Sequence, residues 1–98
     1  MLPLMRFKVK DRSMEPGIRE GQYVIVNRLA YWLKKPRRGD IVVIRHPRDN
    51  RFLIKRIAEV ERGGYVVLGD NEKYSVDSRE FGPISKDLMV GKVLFLHR

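Results

Sequence analysis

Phe52-Leu53-Ile54-Lys55-Arg56-Ile57-Ala58-Glu59-Val60 is the stretch on which the fold turns. It holds neither Gly nor Pro, is dominated by large apolar and β-branched residues, and lies between the turn formers Asp49-Asn50 and Gly63-Gly64, so it reads as a strand. Similar runs flank it at Ile41 to Ile44 and Tyr65 to Leu68, and others stand further out at Phe7 to Val9, Tyr23 to Val26 and Val93 to Leu96. The separators Pro16-Gly17, Glu20-Gly21, Arg38-Gly39-Asp40 and Gly69-Asp70-Asn71 carry turn chemistry, which makes antiparallel hairpins the natural connection. Helical pattern is confined to Leu29 to Lys35, ahead of Pro36, and to a capped turn over Ser85 to Val90. The expected architecture is a mainly β single domain over residues 1–98, a small antiparallel barrel or ribbon with one or two short helical turns.

Composition bounds the function classes. The chain has 98 residues, room for one compact domain, and its 43% hydrophobic and 34% charged residues allow both a core and a solvated surface. No internal repeat, low-complexity stretch or linker divides it. Lys and Arg number 21 against 12 Asp and Glu, a formal +9 that attracts phosphates, anionic lipid headgroups or acidic protein segments without choosing among them. The absence of cysteine excludes disulfides, thiolate metal sites and cysteine nucleophiles. Met1-Leu2-Pro3-Leu4-Met5 meets Arg6 and Lys8 too soon to be a signal-peptide core or a membrane span. It reads as an ordinary disordered or edge-packing terminus, with an interfacial anchor or the stub of an upstream helix as alternatives. The expected location is therefore cytoplasmic or membrane-peripheral.

Chemistry concentrates in three places. Ser13, in Ser13-Met14-Glu15-Pro16, follows the first strand, where a turn would lift its hydroxyl out of the sheet. A serine is a weak nucleophile without a base, and most serines at such places merely cap turns. Lys55 is a candidate base, because burial strips hydration from an ammonium and leaves a neutral amine nearer to neutral pH. On pattern alone the commoner arrangement has Lys55 in solvent and Arg56 turned inward to an acid. The third place is the polar loop Gly69-Asp70-Asn71 with Ser75-Val76-Asp77-Ser78-Arg79. There Ser75 could orient the lysine, and Asp77 with Arg79, and Asp70 with Arg56, could pair to fix the loop. His46, in a turn beside Pro47, and His97, near the C-terminus, support neither a Ser-His-Asp triad nor a zinc site.

Ser13-Met14-x-Pro16, Lys55-Arg56 and Gly69-Asp70-Asn71-x-x-x-Ser75-x-Asp77-Ser78-Arg79 resemble, in order, the three boxes of the signal peptidase I family, across nearly the whole chain. Gly39-Asp40-Ile41-Val42-Val43, Arg45-His46-Pro47 and Asp77-Ser78-Arg79-x-Phe81-Gly82-Pro83 look most like the short maturation proteases of nickel-type superoxide dismutase. The resemblance implies a cofactor-free, metal-free serine endopeptidase that removes an N-terminal leader or propeptide from a protein substrate. In it Ser13 attacks the scissile carbonyl, Lys55 takes its proton, Ser75 holds the lysine, Asp70 pairs with Arg56 and Asp77 with Arg79, and Met14 and Pro16 flank the substrate. It also implies that the Ser13 N–H is an oxyanion donor and that the substrate adds as a β-strand. Any nickel would belong to the substrate. The family's membrane anchor and large extra β domain have no counterpart in these residues, which implies a minimal catalytic core.

One position departs from the family: Asp11 stands where Gly or Ser is usual, two residues before the nucleophile. A carboxylate aimed at the oxyanion would repel it, so Asp11 is expected to face away, unless the loop register differs. Three other readings compete. Lys34, Lys35, Arg37, Arg38, Arg45, Arg48 and Arg51 near Tyr31 and Trp32 could serve a nucleic-acid-binding β domain, although no nucleic-acid motif is present. A self-cleaving repressor domain shares the Ser-Met start but needs a cleavable segment further upstream of Ser13. A catalytically dead interaction module would keep the core and misalign the dyad. The basic surface also allows peripheral contact with an anionic membrane.

Overall fold

The structure is a computed structural model that describes residues 3–97, with side chains described through residue 94. Its strands are β1 (Leu4–Lys8), β2 (Tyr23–Asn27), β3 (Ile41–Arg45), β4 (Phe52–Glu61), β5 (Gly64–Leu68) and β6 (Met89–His97). They form one antiparallel sheet in the order β1-β2-β6-β3-β4-β5. The sheet does not close into a barrel: β1 and β5 stand at its two edges, so the ribbon alternative holds. Each sequence-predicted strand is present within a few residues. The first begins earlier than expected, at Leu4, so part of the apolar N-terminal segment packs as strand at the sheet edge, the edge-packing form of the two expected for it. Met1 and Leu2 lie outside the described residues.

The edge at β1 alternates exposed Leu4, Arg6 and Lys8 with half-buried Met5 and Phe7. Arg6 stacks over the ring of Tyr23 at 4.6 Å, and such cationic edge residues discourage pairing with another chain. Between β2 and β6 the register shifts at Ile25/Val26. Gly91 allows the strands to close there, since a Cβ on it would sit 2.5 Å from the Asn27 carbonyl oxygen.

Strand β3 is buried continuously from Val42 to Ile44, which requires cover on both faces of the sheet. Val43 and Ile54, paired across β3 and β4, belong to a core with Val9, Met14, Ile18, Val24 and Val26. Val42, Ile44, Leu53 and Ile57 belong to a second core with Tyr31, Val67 and Ile84. Each fully buried aliphatic side chain contributes roughly 1.5–3 kcal/mol. The first core draws the serine turn onto the sheet, and the second draws in the helical pieces. Those pieces are α1 (Ala30–Leu33) and α2 (Ser78–Phe81), with 3₁₀ turns at Glu72–Tyr74 and Lys86–Leu88. Two of them, α1 and Lys86–Leu88, fall within the predicted helical stretches; α2 and Glu72–Tyr74 lie in what the sequence presents as a polar loop.

Candidate active site

After β1 the pairing continues to Val9, whose N–H donates to the Gln22 carbonyl at 2.8 Å, and the chain then turns over Asp11 to Gly17. Met14 anchors that turn: it is fully buried in the first core, so its surface is spent on packing, and its sulfur accepts the Asp70 N–H at 3.4 Å. Pro16 follows a cis peptide and stays exposed, beside an open groove that Gly17, Arg19 and Tyr23 also line.

The Gly69-Asp70-Asn71 loop clamps the same turn from the other side. The Asn71 backbone N–H donates to the Ser13 carbonyl at 2.7 Å, and its side-chain amide donates to the Arg12 carbonyl at 3.0 Å. Gly69 is required by proximity, not by turn geometry: a Cβ there would lie 2.8 Å from the Ser13 carbonyl oxygen and 2.6 Å from the Ser75 Cβ. Arg12 closes the clamp with its guanidinium 4.5 Å over the Tyr74 ring.

The placement expected for the Ser13 hydroxyl needs correction. Ser13 is not lifted into solvent; it is fully buried, with Oγ donating over a long 3.5 Å to the Ile54 carbonyl, one residue before Lys55. The packing of Met14 pulls the turn down onto the sheet and carries the hydroxyl with it. Lys55 lies inward, as the family resemblance implies and against the commoner arrangement that pattern alone suggests. It is wholly buried, lying by strand alternation on the face of Leu53 and Ile57. Arg56 points the other way and remains partly exposed, gripping Asp70 through Nε at 2.9 Å and NH2 at 2.8 Å and donating to the Gly39 carbonyl at 3.3 Å.

Lys55 Nζ donates to Ser75 Oγ at 3.2 Å, and Ser75 Oγ donates to Asp77 Oδ2 at 2.5 Å. Asp77 is the centre of the arrangement. It is 1% exposed and also accepts from the Gly69 N–H at 2.8 Å, from Arg79 Nε at 3.1 Å and from Arg79 NH2 at 2.6 Å. As the N-cap of α2 it takes the Arg79 backbone N–H as well, at 3.1 Å. Burial pushes its carboxyl upward, but the bonds from Arg79, Gly69 and Ser75 outweigh burial and hold it below its ordinary value. Burial likewise dominates at Lys55 and lowers its pKa; Asp11 and Asp77 pull it back up, while Arg79 and Arg51 push it further down.

Asp11 does not face away. Its Oδ1 accepts the Ser13 backbone N–H at 3.0 Å, so the group expected to serve an oxyanion is occupied. His46 is buried and accepts the Arg48 N–H at Nδ1, 3.0 Å away, a bond that holds its loop. The His97 side chain lies outside the described ones. Sequence reading missed the reach of Asp77 to Gly69 and Ser75 and the contact of Asn71 with the serine turn. An aspartate before Ser-Arg signals only an N-cap, and a contact across 58 residues of chain leaves no local pattern.

A buried serine turn, a buried lysine and a carboxylate-centred network thus meet on a small antiparallel sheet. The family described as signal peptidase, peptidase S26, matches residues 1–60 and 57–97. The chain belongs to that family, which consists of serine endopeptidases. It is 28% identical to signal peptidase I V of Bacillus subtilis (strain 168), over 89% of this chain and 82% of that protein. It is 35% identical to the mitochondrial ATP-independent inner membrane protease subunit 1b of Arabidopsis thaliana, over 85% of this chain and 63% of the relative. With the mitochondrial inner membrane protease subunit 2 of Schizosaccharomyces pombe the identity is 31%, over 88% and 60%. The chain thus spans less than two thirds of the two mitochondrial relatives.

Proposed function

We propose that this protein is a Ser-Lys endopeptidase that removes N-terminal leaders or propeptides, with Ser13 as nucleophile and Lys55 as general base. The observation that carries the reading is the direction of the hydrogen bonds around Lys55. The Asp77 carboxylate can only accept, so it fixes the single Ser75 proton, and Ser75 can then only accept from Lys55. Among the described residues no carboxylate pairs with the amine. A neutral Lys55 held this way keeps its lone pair for another proton, and this reading assigns that proton to the Ser13 hydroxyl, which rests on the carbonyl of Ile54, the residue before Lys55.

In the reaction, Ser13 Oγ attacks the scissile carbonyl carbon as its proton passes to Lys55 Nζ, and the carbonyl π pair moves to oxygen. Collapse breaks the C–N bond, and Lys55 returns the proton to the leaving amine. Water then gives a proton to Lys55 as it attacks the ester, and Ser13 Oγ recovers one when the acyl group leaves. The substrate docks as an added strand. Two substrate classes compete, secreted preproteins and a nickel-type superoxide dismutase precursor, the latter resting on the Gly39–Val43, Arg45–Pro47 and Asp77–Pro83 segments. The test is cleavage of peptides from both by the wild type and Ser13→Ala at several pH values. The reading expects loss of about 10³-fold or more in the variant and a rate that rises with pH. Undiminished cutting by Ser13→Ala would refute it.

The proposed setting is the surface of an anionic membrane. Trp32 is 80% exposed and Leu33 93% exposed on α1, next to Lys34, Lys35, Arg37 and Arg38. An aromatic and an aliphatic tip ringed by cations suits the headgroup region, and among the described residues no helix is long and apolar enough to cross. Trp32→Ala with Leu33→Ala should weaken binding to phosphatidylserine vesicles by about tenfold or more, leaving cleavage of a soluble peptide unchanged. Salt-sensitive retention on single-stranded DNA together with unchanged vesicle binding would favour the nucleic-acid reading instead.

A further inference from the structure

We propose that Asp11 latches the free protein shut, holding the Ser13 N–H with its carboxylate until a peptide carbonyl takes that N–H over. The inference rests on the Ser-Lys reading and concerns the regulation of that site.

Three observations describe the closed state. The Ser13 N–H is held by Asp11 Oδ1 at 3.0 Å. The Ser13 hydroxyl is turned onto the Ile54 carbonyl at 3.5 Å. Ser13 is wholly covered, while Asp11 remains partly exposed. A carboxylate and a developing oxyanion cannot share one N–H, because like charges at hydrogen-bond range repel strongly in a site shielded from water. The carboxylate therefore has to leave before the tetrahedral intermediate forms, and its partial exposure gives it solvent to turn into.

The same charge acts on the base. Lys55 is faced by Asp11 from the serine turn, by Asp77 and Arg79 around the start of α2, by Arg51 ahead of β4 and by the Ser75 hydroxyl. Asp11 is the largest of the charges that favour the protonated amine, which cannot act as base. Asp11 in place thus occupies the oxyanion donor and opposes the neutral amine that burial favours, and its departure eases both. Asp11 is a positioning residue: it acts through Ser13 and Lys55.

The competing role is a simple turn cap, since an Asp side chain accepting the N–H two residues on is an ordinary Asx turn. Asp11→Asn separates the two, because its amide oxygen keeps the turn and loses the charge. The experiment measures kcat and KM for a leader peptide, the rate at which a small fluorophosphonate labels Ser13 (its Oγ bonding to phosphorus as fluoride leaves), the pH at half-maximal kcat/KM, and Tm. Asp11→Asn should raise both the labelling rate and kcat by about tenfold, on the order of the difference between a charge-assisted and a neutral hydrogen bond, and move the rising pH limb to lower pH. Asp11→Ala should do the same even if its Tm falls. Unchanged labelling and an unmoved pH limb in both variants, or rates that only fall alongside Tm, would overturn the latch. Ser13→Ala separates the two ideas: if it abolishes cleavage while Asp11→Asn changes nothing, the latch fails and the dyad stands; if it cleaves normally, the dyad itself fails.

Discussion

Lys55→Met should abolish cleavage, by about 10⁴-fold, and leave the protein as stable as before or more so. Both effects come from the same burial. The amine is the group assigned to take the Ser13 proton, and without a base a serine hydroxyl is a poor nucleophile. The same amine lies at zero exposure between Leu53 and Ile57 with one hydroxyl as its side-chain partner. Burying a cation there is costly, and a methionine of similar shape removes that cost, so a gain of about 1–3 kcal/mol at neutral pH is expected. The pH dependence fixes the sign. The folded pKa of Lys55 is lowered from 10.5, so below the lowered value the proton is bound in both folded and unfolded chains and the burial penalty is fully present. Between that value and 10.5 only the unfolded chain holds the proton, and wild-type stability rises with pH. Lys55→Met lacks this rise, so its advantage should be greatest at low pH and shrink toward alkaline pH. Urea unfolding of both proteins across the pH range measures the gap. A constant gap, or a methionine variant that still cuts, would contradict the assignment.

The strands were legible because their signal is local. Phe52 to Val60 is bounded by turn formers and matches β4 almost residue for residue, and Ile41 to Ile44 matches β3. The facing of Lys55 was not legible from pattern, since β4 is buried on both faces around Leu53 to Lys55 and alternation cannot tell the sides apart. Only resemblance to a family pointed to Lys55. The burial of Ser13 was equally hidden: it follows from Met14 seating in a core that includes Val43 and Ile54, residues far along the chain. Asp11 was visible as a departure, yet its direction depended on a bond to its near neighbour that sequence allows but does not require. Sheet closure was also open, because six strands can form a barrel or a ribbon, and the edges at β1 and β5 decide it.

Asp77 carries the other large effect, on stability and catalysis together. Asp77→Ala strands the Gly69 N–H, the Ser75 hydroxyl and the inner face of Arg79, all of which now end on one buried carboxylate. Breaking such a site by removing one partner costs about 3–5 kcal/mol, a large share of the roughly 5–15 kcal/mol that holds a domain together, and should lower Tm by about 15–30 °C. Asp77→Asn is the more informative change, since its amide oxygen still accepts from Gly69 or Ser75 and part of the fold stability returns. The folded carboxyl sits below its ordinary 3.8, so its contribution is present above 3.8 and lost as pH falls through the lowered value; the asparagine variant should lose that acid-side dependence. Its catalysis should stay impaired by about 10²-fold even where it is fully folded. With the carboxylate gone the Ser75 proton is no longer committed, and it can turn to the Lys55 lone pair, competing with Ser13 for the same base. Asp77→Asn combined with Ser75→Ala removes that competing proton, so the double variant should cut faster than Asp77→Asn alone if the direction of the hydrogen bonds is what matters. If Asp77 serves only to hold the loop, the double variant should instead be slower and less stable.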